Sequence, residues 1–188
     1  MNTAVDLNKI LKKGNLDNEL DFERATVINR KLRVLEKEHP ELAEKRQQLH
    51  AILKEYENRV WVNNQDEITP EKIAESEMAE MLADQEQFFF HRRKELIRNR
   101  LKYFSLTQKD LGKLLGHSNT YISELVNGIY PFTMHDLTII RLLLKIDFKD
   151  LIPTVLNTDD RTKLASVVRE LSNPKLAIDE QSLELISC

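Results

Sequence analysis

Apolar residues recur at three- and four-residue spacing over most of the chain. From Leu20 to Glu38 they fall at Ala25, Ile28, Leu32 and Leu35, the stripe of one amphipathic helix. Pro40 then suits the first turn of a new helix and pushes His39 toward an extended backbone. Leu42, Leu49, Ile52, Leu53, Tyr56 and Val60 form the buried side of a second helix, from about Glu41 to Val60. So short a connection predicts an antiparallel helical hairpin. Two helices alone bury little, so a third helix or a partner is expected against them.

The pattern breaks at "VNNQDE". Thr69 reads as an N-cap, with Pro70 at the first helical position. From Asp66 to Gln87 the chain carries eight acidic residues against one lysine, Lys72. Ile73, Met78, Met81 and Leu82 make only a partial stripe, which predicts a marginal, solvent-facing helix. The segment has two readings: a solvated acidic linker, or an arm that docks on a basic partner protein. At Phe88 the character changes to "FFFHRRKELIRNRLKYF", with Leu96, Ile97, Leu101 and Phe104 at helical spacing. Its Arg92, Arg93, Lys94, Arg98, Arg100 and Lys102 are either a solvated face or a source of phosphate contacts. Thr133 is placed to cap "MHDLTIIRLLLKI", and "DFKDLIP" is a final short turn. Beyond Pro153 only a weak helix, about Asp159–Leu171, is expected.

Three of the four glycines fall in "LTQKDLGKLLGHSNTYISELVNG", from Leu106 to Gly128. The stretch divides into two short helices at Gly116. Leu111, Leu114 and Leu115 are the apolar positions of the first, and Ile122 and Leu125 of the second. Helices this short, joined by so few residues, must cross steeply. Gly112 then lies where a side chain would strike the crossing helix, while Gly116 and Gly128 end the two helices in left-handed turns. This is the pattern of a helix-turn-helix.

Composition sets the class. Charged residues make up 31% and aromatics 6%, with few Gly and Pro, which favours a soluble, all-α protein. No apolar run is long enough to span a bilayer, so no membrane partner is expected. "MNTAVDLNKILKKG" lacks a signal-peptide core, and the single cysteine, Cys188, cannot close an internal disulfide; a cytoplasmic location is expected. The net charge of −3 conceals a division. Residues 1–87 carry −6, residues 88–153 carry +5 and residues 154–188 carry −2, which suggests a partner for each sign.

The series T-Q-x-x-L-G-x-x-x-G-x-S-x-x-x-I-S-x-x-x-x-G, from Thr107 to Gly128, resembles the five-helix DNA-binding domain of the phage-repressor and Cro type, the XRE family. The resemblance covers about residues 90–153. It implies that the second helix of the pair enters the major groove by its N-terminal end. Ser118, Asn119, Thr120, Ser123 and Glu124 would then face DNA bases, with Ile122 and Leu125 in the core. Gln108 and Asn127 match the positions of phosphate contacts. Asn can pair bidentately with adenine, Thr can touch a thymine methyl, and a carboxylate can accept from cytosine N4. Ser118 has a second reading, as the N-cap of its own helix. Tyr121 either packs or reaches a phosphate. The reading face has no Arg or Lys, so guanine readout by arginine is not expected, and modest affinity per protomer with strong salt dependence and a homodimer is.

A second resemblance covers the whole chain. "DFERATVINRKLRVLEKEHPELAEKRQQLHAILKEYE" (Asp21–Glu57), an acidic connection and then the repressor-type domain are similar in order and spacing to the longer HigA-type antitoxins. Phe22, Ala25, the turn at Pro40 and "I-x-x-Y-E" from Ile52 carry it. The resemblance implies two partners, double-stranded operator DNA and a small basic ribonuclease toxin. The acidic front half suits such a toxin electrostatically. The organisation expected is a helical hairpin interaction domain (1–62), an acidic linker helix (63–87), a DNA-binding domain (88–153) and a helical tail (154–188).

The rival within the same class is a stand-alone regulator of phage or mobile-element type, whose front half serves dimerisation or sensing. An enzyme is disfavoured. His39, His50, His91, His117 and His135 show no metal-ligand spacing, Cys188 has no activating context, and no Gly-rich loop could cradle a phosphate. No catalytic residue, metal or cofactor is therefore expected.

Overall fold

The computed structural model describes residues 7–63, 68–153, 158–173 and 176. Cys188 and most of the tail lie outside the described residues, as does the end of "VNNQDE". The described residues are helical, with no strand among them. The order is α1 (Leu7–Lys13), α2 (Glu19–Leu35), α3 (Leu42–Glu57), α4 (Pro70–Tyr103), α5 (Gln108–Leu115), α6 (Asn119–Val126), α7 (Met134–Leu144), α8 (Phe148–Leu151) and α9 (Thr158–Leu171).

The expected hairpin is present as α2 and α3. Asn18 starts α2 by accepting the Asp21 N–H at 2.9 Å. Ala25, Ile28, Leu32 and Leu35 are buried along α2, and Leu42, Leu49, Leu53 and Tyr56 along α3. The hairpin also needed a third element, and has two. α1 seats Leu7 and Ile10 against α3, and α2 packs along the first half of α4. α1 was not foreseen, because seven residues with three apolar positions make too brief a periodic signal. α3 runs on into one π-helical turn, Asn58–Val62. There Trp61 Nε1 and the Tyr56 hydroxyl both donate, at 2.7 Å, to the buried carboxylate of Glu19.

The acidic and basic segments differ from expectation. They are one 34-residue helix, α4, rather than a linker helix followed by a separate basic one. Thr69 caps it and Pro70 opens it, as read. No Gly or Pro follows before Tyr103. The change from acid to base at Phe88 alters what the outer surface presents and leaves the buried line unbroken, through Ala79, Ala83, Phe90, Ile97 and Leu101.

The second half of α4 joins α5–α8 as a five-helix unit. Thr107 with Asp110, and Thr133 with Asp136, form reciprocal capping boxes at the starts of α5 and α7. Ile122 and Leu125, 1% and 0% exposed, anchor α6, each contributing about 1.5–3 kcal/mol by burial. Gly112 allows the close crossing of α5 and α6: a Cβ there would stand 3.1 Å from the His117 carbonyl oxygen and 3.2 Å from Ile122 Cγ2. Gly128, at φ +71°, turns the chain out of α6 where a Cβ would meet Phe90 Cγ at 2.9 Å.

One basic residue of α4 is structural. Arg93, 3% exposed, lies between the rings of Phe90 and Phe132, at 4.8 and 5.0 Å from their centroids. It donates to the Leu151 and Leu125 carbonyls at 3.3 and 3.4 Å, tying α8 and α6 to α4. Burial pulls its pKa down to about 10, and it stays charged at neutral pH.

Candidate nucleic-acid interface

The interface begins with how α6 is aimed. Ser118 Oγ accepts the Tyr121 N–H at 3.2 Å, so this residue caps its own helix while its side chain stays exposed. The preceding turn is clamped by His117, whose Nε2 lies 2.9 Å from Oδ1 of the buried Asp136 on α7. The capping carboxylate of α7 therefore also fixes the α5–α6 turn. Tyr121 packs against the rings of His117 and Tyr130, with centroids at 5.0 and 5.8 Å.

Asn119, Thr120, Ser123, Glu124 and Asn127 fall on one arc of α6 and its C-cap, by helical spacing. Their environments differ. Asn119 is exposed, as is Ser118. Thr120 is half-buried, donates its hydroxyl to the Glu41 carboxylate and lies 3.3 Å from His39 Nδ1. Ser123 and Glu124 are buried, at 4% and 2% exposure. Glu124 Oε1 accepts from Lys45 Nζ at 2.9 Å. Asn127 donates to the Ser123 carbonyl at 2.8 Å and accepts from Lys94 Nζ at 2.8 Å. Gln108 is half-buried in the first turn of α5.

The front half thus lies over part of the arc. Lys45 also sits 5.4 Å above the Tyr130 ring, and the Tyr130 hydroxyl donates to Asn8 of α1 at 2.9 Å. Burial opposes the charge on Lys45, but its hydrogen bond and attraction to Glu124, with help from Tyr130, raise its pKa overall. The hydrogen bond from Thr120 lowers the pKa of the exposed Glu41.

Sequence reasoning did not find Glu41, Lys45 or His39 as neighbours of α6. They lie about 80 residues away, beyond the reach of any periodicity. One signal was present: Glu124 puts an acid on a face otherwise suited to DNA, and a carboxylate there calls for a cation.

The basic side chains of α4 are largely occupied. Arg100 Nε donates to the Leu144 carbonyl at 2.5 Å, and Arg92 is 3.5 Å from Asp150. Lys94 faces Asn127, with its pKa lowered by burial and then by Arg98. Lys102, Lys109 and Lys113 remain exposed. Among the described residues no cluster of His, Cys, Asp and Glu could hold a metal ion, and no helix is long and apolar enough to cross a membrane.

The helix-turn-helix family model matches residues 97–151, from the last turns of α4 to the end of α8. No match was found among curated proteins or among solved structures. Residues 97–151 are a helix-turn-helix domain of the XRE type, the kind carried by DNA-binding transcription regulators.

Proposed function

We propose that the chain is a transcriptional autorepressor and antitoxin. It binds double-stranded operator DNA through α5 and α6, and it neutralises a small basic mRNA endonuclease by direct protein binding. The observation that carries the DNA reading is the leading end of α6: Ser118 and Asn119 project to solvent from a helix fixed by its own cap, by the His117–Asp136 clamp and by a buried underside. In this reading Asn119 pairs with adenine and Thr120 meets a thymine methyl. Glu124 accepts from cytosine N4, Ser123 adds a hydroxyl, and Gln108 and Asn127 hold phosphates.

The toxin-binding part is supported by the acidic half of α4. Ile73, Met78 and Met81 are exposed there, among Glu71, Glu75, Glu77 and Glu80. Apolar anchors within a negative rim suit a basic partner. Met134, Leu142 and Leu143 of α7 are exposed as well, which supports a homodimer. The second reading, a stand-alone regulator, is favoured by the contact of the front half with α6, as a sensing region would make.

Co-expression of the tagged full chain with the product of its neighbouring reading frame separates the two. A small basic protein retained through a high-salt wash supports the antitoxin. If none is retained while the chain binds its own upstream DNA, the stand-alone regulator stands.

A further inference from the structure

The arc of α6 aimed at DNA is already engaged within the chain. Thr120 is held by Glu41 and lies beside His39, at the corner between α2 and α3, and Glu124 is held by Lys45 one turn into α3. A major groove about 12 Å wide is nearly filled by one helix, itself about 10–12 Å across with its side chains. No space is left for a second helix corner bonded to the inserted face. The corner carries Glu38, Glu41 and Glu44 among Lys37, Lys45 and Arg46, and the Glu41 carboxylate is bonded to the face of α6 through Thr120.

We infer that the front half is a built-in competitor for DNA: the α2–α3 corner masks Thr120 and Glu124 of α6, and it must leave before the helix can enter the groove. The inference rests on the DNA-binding reading of α6. At α6 itself the engagement uses a few side chains, two of them on partly exposed groups, with Lys45 38% and Glu41 57% exposed at the side chain, while α1 also reaches Tyr130 through Asn8 and α2 packs on α4. DNA that binds only the uncovered face is weakened by the fraction of molecules that are covered.

The test uses the full chain and two duplexes, one spanning the region upstream of its own gene and one scrambled. E41A/K45A removes one charge of each sign, so the net charge is unchanged. K13A/D17A, which removes the exposed Lys13–Asp17 pair elsewhere on the front half, is the control. E41A/K45A should bind the upstream duplex about tenfold or more tightly than the parent, and K13A/D17A within about twofold of it. In the unaltered chain, adding that duplex should speed amide exchange across residues 38–46 while slowing it across 118–127. This second measurement does not depend on a variant's folding. Equal or weaker binding by E41A/K45A, with residues 38–46 still protected in the complex, would overturn the inference and leave DNA binding in place. If neither the parent nor E41A/K45A binds either duplex at low salt, the DNA-binding reading fails, and the inference with it.

Discussion

Lys45 Nζ of α3 lies 2.9 Å from Glu124 Oε1 of α6, so a cation from the front half neutralises a buried carboxylate on the proposed DNA-reading helix. Glu124 is 3% exposed at its side chain and Lys45 is 38%, so the pair straddles the edge of the interior. Lys45→Ala would leave the carboxylate buried without its cation. The expected loss is about 1–2 kcal/mol, less than for a wholly buried pair because water reaches Lys45. Glu124→Gln in the Lys45→Ala background should recover part of it. Urea unfolding of the four proteins of this cycle measures the coupling. A coupling near zero would mean that the contact does not hold the two halves together.

Gly128 is expected to be intolerant of a side chain. Its φ of +71° is unfavourable for alanine, and a Cβ would stand 2.9 Å from Phe90 Cγ in a packed site. Gly128→Ala should cost about 2–4 kcal/mol, combining backbone strain with overpacking. A thermal or urea midpoint close to that of the parent would show that Phe90 moves aside freely.

Lys31 supplies a pH dependence. Burial, and then repulsion from Arg93 and Lys94, lower its pKa from 10.5 to about 8 in the folded chain. The folded state therefore resists the proton that the unfolded state takes readily. The resulting penalty is full below about pH 8, shrinks between pH 8 and 10.5, and is gone above that. Lys31→Met should accordingly be more stable at pH 7 by on the order of 1 kcal/mol, and the difference should narrow as pH rises through that window. A difference that stays constant with pH would assign the effect to packing.

The parts of the fold that were legible in the sequence are those governed by local rules. The stripes of α2 and α3, the caps at Thr69 and Thr133, and the three glycines around α5 and α6 all act within a few residues of themselves. α4 was divided at Phe88 because composition changes there, although its buried face continues through Ala83 and Phe90. Arg93 looked like a surface base because its neighbours are basic; only the three-dimensional meeting of Phe90, Phe132 and the Leu125 and Leu151 carbonyls makes it a core residue. The candidate site could be written from the sequence as a list of positions on α6. Its covering by Glu41 and Lys45 was not, since long-range pairing leaves no period in the chain.

Base reading can be examined one side chain at a time. Asn119→Ala and Thr120→Ala should leave the helical content unchanged and each cost about 1–3 kcal/mol of discrimination between operator and scrambled duplex. Circular dichroism checks the fold and competition binding checks the discrimination. Discrimination that survives both substitutions would place the reading face elsewhere.

The most direct measurement is a salt titration of the full chain on the duplex from upstream of its own gene, against a scrambled duplex of equal length. Binding should weaken steeply with salt on both, and the upstream duplex should stay preferred by about a thousandfold or more. Equal affinity for the two sequences, or no binding to either at low salt, would contradict a role for α6 as the reader of an operator.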